Sequence, residues 1–337
     1  MIRVSRRSEC DRPLWMGIIR LVLALLILAR GVPQVAHAGI EARCELLPKK
    51  TRVLVCEPLI ADLRLTNTGT QNIFVPAGAS LERGSVQLTY TRPDGNKRRY
   101  EPLARKHSSA QDEPVGIAPG ASYYSRLFLS YTSDIGYEVP SEYLFETAGT
   151  YCLQASIWVS DQPSQGNVVT VESKPIEVVA VEPTDEDAEG LRLFRGKEQA
   201  LALYWGERPA GEKLGEFEAL ISRYPQSIYA QYVLYRRLVF ALAEDGFYFS
   251  LPGREVPERL RAPFEQLKAF AQTYPDFPAV DELLLYLAKC YDGASERDRA
   301  DALRAEILRK FPQSAVAAQL HSGRQITAGS VSGIVKD

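Results

Sequence analysis

Residues 150–159 read TYCLQASIWV, with apolar side chains at every second position: Tyr151, Leu153, Ala155, Ile157 and Val159. Side chains two apart share one face of an extended strand, so this run has one face to bury. The same period extends outward on both sides. Upstream it appears in ADLRLTN (61–67) at Ala61, Leu63 and Leu65, and in SVQLTY (85–90) at Val86, Leu88 and Tyr90. Downstream come NVVTVES (167–173) and PIEVVAVE (175–182), split at Lys174–Pro175, where proline lacks the amide hydrogen a ladder needs. Turn residues separate the runs: NTGT (67–70), PDGN (93–96), APGAS (118–122) and TAGT (147–150). Short alternating runs with frequent turns predict a β-sandwich over residues 39–182.

Beyond residue 182 the period changes. EPTDEDAEG (182–190) is acidic; it reads as a connecting segment over 183–194 that also starts a helix, since acids favour a helix N-terminus. KLGEFEALISRYP (213–225), RAPFEQLKAFAQTYP (261–275) and ADALRAEILRKFP (300–312) then repeat apolar residues at helical spacing. Each ends with an aromatic followed by proline, at Pro225, Pro275 and Pro312, and a second helical run follows each proline. Proline breaks a helix interior but fits the turn before a new helix. The proline spacings are 50 and 37 residues, the first lengthened by GFYFSLPGREVPERL (246–260). A helical repeat array is therefore expected over 195–322, with a flexible tail at 323–337.

Two resemblances follow from these motifs. EPLIADLRLTNTG (57–69), APGASYYSRLFLS (118–130) and TAGTYCLQASIWV (147–159) resemble bacterial Ig-like Greek-key modules, and Tyr151 resembles their corner tyrosine. Some such modules inhibit proteases through loops at one end of the sandwich. KHSSAQDEPVG (106–116) is the longest polar connection here. The aromatic–proline units resemble divergent tetratricopeptide repeats, helix–turn–helix units of about 34 residues, as in bacterial outer-membrane assembly lipoproteins and cell-division coordinators. The fold class implied is multidomain β + α, an Ig-like Greek-key sandwich followed by a tetratricopeptide-like array.

The repeat resemblance implies a partner-binding face built from each unit's first helix. With Ile228 at the first position, the contact positions fall on Tyr229, Tyr232 and Arg236, and by the same logic on Tyr286 and Lys289. The alternative is that these tyrosines pack against the next repeat. Phe247, Tyr248 and Phe249 in the inserted stretch would add a contact surface if exposed; tucked against the fold, they would not.

Residues 18–29 (IIRLVLALLILA) are apolar apart from Arg20, arginines precede them, and Ala36–His37–Ala38 fits a small-x-small cleavage site. This is the layout of a secretory signal peptide over 1–38, the alternative being a retained anchor. Localisation is expected to be periplasmic or extracellular, with no membrane span after cleavage. Export permits disulfides. A hairpin about Lys50 would bring Cys44 opposite Cys56, so a Cys44–Cys56 disulfide is expected, the alternative being two free thiols. Cys152 and Cys290 read as buried thiols. No cysteine spacing matches a zinc site.

Without the leader the chain has 34 basic and 40 acidic residues, which argues against a nucleic-acid surface. GxSxG, HExxH, P-loop and Rossmann signatures are all missing. No catalytic residue, cofactor or metal is therefore expected. The expectation is a non-enzymatic scaffold or adaptor that binds a protein or peptide through its helices; the alternative is an inhibitor-type module acting through the sandwich loops.

Overall fold

A computed structural model describes residues 39–76, 78–103, 113–133, 142–164, 166–205, 215–243 and 258–322. The leader, most of the 106–116 connection, Phe247, Tyr248, Phe249 and the 323–337 tail lie outside the described residues. The strands are β1 (Ala42–Pro48), β2 (Arg52–Leu54), β3 (Leu59–Asn67), β4 (Ile73–Val75), β5 (Val86–Thr91), β6 (Lys97–Tyr100) and β7 (Val115–Ile117). They continue as β8 (Ser122–Leu129), β9 (Tyr131–Thr132), β10 (Glu142–Tyr143), β11 (Gly149–Ser160), β12 (Val168–Glu172) and β13 (Ile176–Val181). The helices are α1 (Asp185–Phe194), α2 (Lys197–Trp205), α3 (Gly215–Arg223), α4 (Ile228–Ala243), α5 (Glu258–Thr273), α6 (Val280–Gly293), α7 (Arg297–Lys310) and α8 (Ala315–Ser322).

One sheet has the order β1-β3-β8; a larger one has the path β2-β13-β11-β4-β7, with β12 on β11 and β5 between β11 and β6; β9 and β10 form a separate pair. The period-two residues of β3, β5 and β11 meet in one core: Ala61, Leu63 and Leu65 from the smaller sheet face Val86, Leu88, Leu153, Ala155 and Ile157 from the larger. This is a β-sandwich. Tyr151 closes a tyrosine corner: its hydroxyl donates to Thr147 O (3.0 Å), and its ring meets Phe145 edge-on at 5.0 Å. Gly149, at φ +138°, makes the entry to β11 possible, because a Cβ there would sit 2.5 Å from Pro93 Cγ.

The expected hairpin about Lys50 does not form. β1 pairs antiparallel with β3, placing Cys44 opposite Leu65, whereas β2 pairs parallel with β13 in the other sheet. The chain changes sheets between the two cysteines. Cys44 thus enters the sandwich core, and Cys56 enters a separate cluster with Tyr131, Tyr143 and Tyr229. The Cys44–Cys56 disulfide is corrected to two free, buried thiols; Cys290 is free and buried as expected, whereas Cys152 is free but only half-buried, because it alternates outward on β11.

The acidic 183–194 segment is helix α1 for most of its length, docked by the fully buried Phe194, which packs on Phe217 and Tyr229. Its acids serve the next elements: Glu186 accepts the amide of Gln226 (3.0 Å), and Asp187 accepts that of Ile228 (2.8 Å) at the start of α4. The three aromatic–proline turns share one pattern. The amides of Tyr224, Tyr274 and Phe311 donate back to Leu220, Phe270 and Ile307, and those of Ser227, Phe277 and Ser314 donate to the three aromatic carbonyls. Each turn closes one helix and starts the next. Ile40 onward forms one unit.

Candidate functional site

The smaller sheet is buried on both faces where β3 and β8 carry Ile60, Asp62, Arg126 and Phe128. Along β3 and β8 the inward residues belong to the sandwich, while Ile60 opposite Phe128 and Asp62 opposite Arg126 point the other way. That outer face meets α4, α6 and α8. Ile60 and Phe128 join an apolar cluster with Tyr232, Tyr235, Leu283 and Val316. Val55, Cys56, Tyr131 and Tyr143 join a second cluster with Phe194, Phe217 and Tyr229.

Beside the first cluster, two residues along β3 and β8 from Ile60 and Phe128, lies a buried set of charges. Arg126 is 8% exposed, Asp62 and Asp281 1% each, and Glu282 6%. The Arg126 guanidinium donates to Asp62 Oδ1 (2.9 Å), to Asp281 Oδ1 and Oδ2 (2.9 and 2.7 Å) and to Glu282 Oε2 (3.3 Å). Lys49 Nζ reaches Asp62 at 2.8 Å and Asp281 at 3.3 Å. Tyr235 OH donates to Glu282 (3.0 Å), and the Ala315 amide, at the start of α8, donates to Asp62 (3.0 Å). Burial alone would raise the Asp281 carboxyl, but the Arg126 and Lys49 charges overcome it and bring the group down to about 2. Asp62 is lowered by the same contest between burial and those two cations. Arg126 stays firmly protonated, since its three carboxylates outweigh the burial that works against its charge.

The helix face expected to be open to a partner is turned onto the sandwich. Tyr229, 0% exposed, donates its hydroxyl to Val55 O (2.5 Å). Tyr232 is fully buried between Phe277 (5.0 Å between centroids) and Phe128 (6.3 Å). Arg236 donates to Leu203 O (2.7 Å) and Tyr204 O (2.8 Å), satisfying carbonyls in the last turn of α2, and stacks on Phe128 and Phe240. These three are therefore corrected from partner-contact residues to interior residues. The physical reason is that the smaller sheet carries apolar Ile60 and Phe128 on its second face and needs a cover. Tyr286 and Lys289 are half-buried on α6, with the ammonium 5.7 Å from the ring centre.

Sequence reading missed the Asp62–Arg126 pair. Its signal lies in the off-phase positions of β3 and β8, where Ile60 and Phe128 break the polar pattern expected of a solvent face.

Among the described residues the exposed large apolar side chains are Trp158 (41%) on β11, Val168 (64%) and Val169 (38%) on β12 and Val179 (37%) on β13; Val169 stands opposite the core residue Val159, on the other face from Trp158, and Val179 stands opposite Thr150 at the far end of β11. Trp158 is paired opposite Thr170, so its indole and Val168 stand on the same outward face, beside Ser156 and Ser160. Among the described residues β12 pairs only with β11. The described residues contain no group of three or more metal-ligating side chains, and no helix among them is long and apolar enough to cross a membrane.

No protein-family model matches the chain. No curated protein sequence matches it either. Among solved structures, the ApaA protein from Bordetella pertussis is similar over 44% of this chain and 94% of its own, with 11% identity and a TM-score of 0.24. A CARDB domain from Pyrococcus furiosus covers 42% of this chain and 89% of its own, at 13% identity and a TM-score of 0.22. The seventh PapD-like domain of human CEP192 covers 45% and 94%, at 8% identity and a TM-score of 0.22. Likeness this slight carries no function across.

Proposed function

We propose that the protein is an exported, non-enzymatic scaffold that binds a protein partner, and that the contact surface is the outward face of β11 and β12. The observation that carries this reading is the pair of exposed large hydrophobics Trp158 (41%) and Val168 (64%) on one outward face of the paired strands β11 and β12. Partly exposed aromatics are favoured anchors at protein interfaces, and an exposed edge strand offers backbone groups besides. The helices, read as tetratricopeptide-like from their three matching aromatic–proline turns, then act as a rigid support. Their solvent side, formed by α3, α5 and α7, is a second surface for a partner. The leader supports export, and the sequence contains none of the catalytic signatures that would favour an enzyme.

The test is photo-crosslinking in intact cells. A crosslinking amino acid replaces Thr170 in one variant and Arg309, on the exposed side of α7, in another. A discrete adduct from position 170, lost when Trp158→Ser and Val168→Thr are added, supports the sheet surface. An adduct from position 309 alone moves the contact to the helices and overturns the site assignment.

A further inference from the structure

We infer that the buried charge set Lys49, Asp62, Arg126, Asp281 and Glu282 is a register latch: it selects the one seating of the helices on the sandwich. The apolar clusters cannot do this alone. Hydrophobic burial is non-directional, and helix faces lined by Leu283, Leu284 and Leu287 of α6 and Val316 of α8 can slide on Ile60 and Phe128 with little change in buried area. The guanidinium imposes direction. It is planar, its donors point along fixed lines, and here one fork serves Asp62 from its own sheet and Asp281 and Glu282 from α6 at once. Asp62 holds the second helix contact, accepting the Ala315 amide of α8 as well as Lys49 Nζ. A slip of one residue would leave these carboxylates buried without their cations, a state far costlier than any neighbouring apolar packing. Buried ion sets of this kind add little net stability compared with apolar replacements, and fixing register is their best-attested use.

The latch also has a consequence for the molecule. With α4, α6 and α8 locked on the β3–β8 face, the chain's own sandwich is the permanent occupant of the helix face that carries Tyr229, Tyr232 and Arg236.

The experiment uses the full chain carrying Cys10→Ser, with spin labels on Cys152, on the outer face of the larger sheet, and on an introduced Arg309→Cys on α7; Cys44, Cys56 and Cys290 are buried. The distance distribution between the labels is narrow in the parent. In the apolar variant (Asp62→Leu, Arg126→Met, Asp281→Leu, Glu282→Gln), helix content is expected to be kept while the distribution broadens about twofold or splits. A folded variant with the parent's narrow distribution overturns the inference, because apolar packing would then select the seating. If that variant does not fold, Arg126→Lys decides. Lysine keeps the charge but cannot hold three carboxylates in one plane, so broadening supports the latch and an unchanged width overturns it.

Discussion

Tyr151 shows how much one hydroxyl can organise. It accepts the Thr147 amide at 3.2 Å and donates to the Thr147 carbonyl at 3.0 Å, tying the turn before β11 to the sandwich core. Tyr151→Phe keeps the ring contact with Phe145 and removes these bonds together with the one to Thr147 Oγ1 (3.3 Å). Urea unfolding should show a loss of about 1 kcal/mol, small because Thr147 is exposed and water partly replaces the hydroxyl. The cysteines supply a second residue-scale test. Burial pushes the thiols of Cys44, Cys56 and Cys290 up to about 12, so at pH 8 they are neutral and shielded. With Cys10→Ser in place, brief iodoacetamide treatment of the native chain should modify Cys152 first, and denaturation should expose Cys44, Cys56 and Cys290. A missing pair of modified sites after denaturation without reductant would restore the Cys44–Cys56 bond.

At the scale of elements, α1 depends on close approach. A Cβ on Gly190 would lie 2.5 Å from Ser227 Oγ and 3.2 Å from Leu220 Cδ1. Gly190→Ala improves helix propensity by about 1 kcal/mol, but it must push α1 off the turn between α3 and α4. The net result should be destabilisation of about 1–2 kcal/mol, seen as a lower Tm in circular dichroism. This balance was not legible beforehand, because DEDAEGLRLF has the acids and glycine of a connector. Strand alternation in β3, β5 and β11 was legible, since each has one face in the sandwich core. So were the three aromatic–proline turns, whose local hydrogen bonds need only neighbouring residues. The Cys44–Cys56 hairpin misled because a two-strand pattern also fits a strand that crosses to the opposite sheet.

For the whole molecule, acid is the natural probe. Asp281 sits at about 2, below the ordinary 3.8, and Asp62 is also lowered. A depressed carboxylate stabilises the fold fully above its unfolded pKa and loses that contribution as pH falls through its folded one. Stability should therefore drop between about pH 4 and pH 2, by about 2 kcal/mol from Asp281 alone. Equilibrium urea titrations at those two pH values check this, and Asp281→Asn should remove most of the slope while lowering stability at neutral pH. Sandwich and helices should lose structure together, since the charge set belongs to both.

The sequence by itself determined the local layer of this protein: alternating strands, helical stripes and proline turns, all products of near-neighbour sterics and periodicity. Only the tertiary structure decided which faces meet. Tyr229, Tyr232 and Arg236 carry the residue types of a binding surface, yet they are interior because Ile60 and Phe128 on β3 and β8 required a cover and α4, α6 and α8 supplied it. Burial depends on contacts between distant segments, such as Arg126 with Asp281, and no local pattern encodes the free energy of such an encounter.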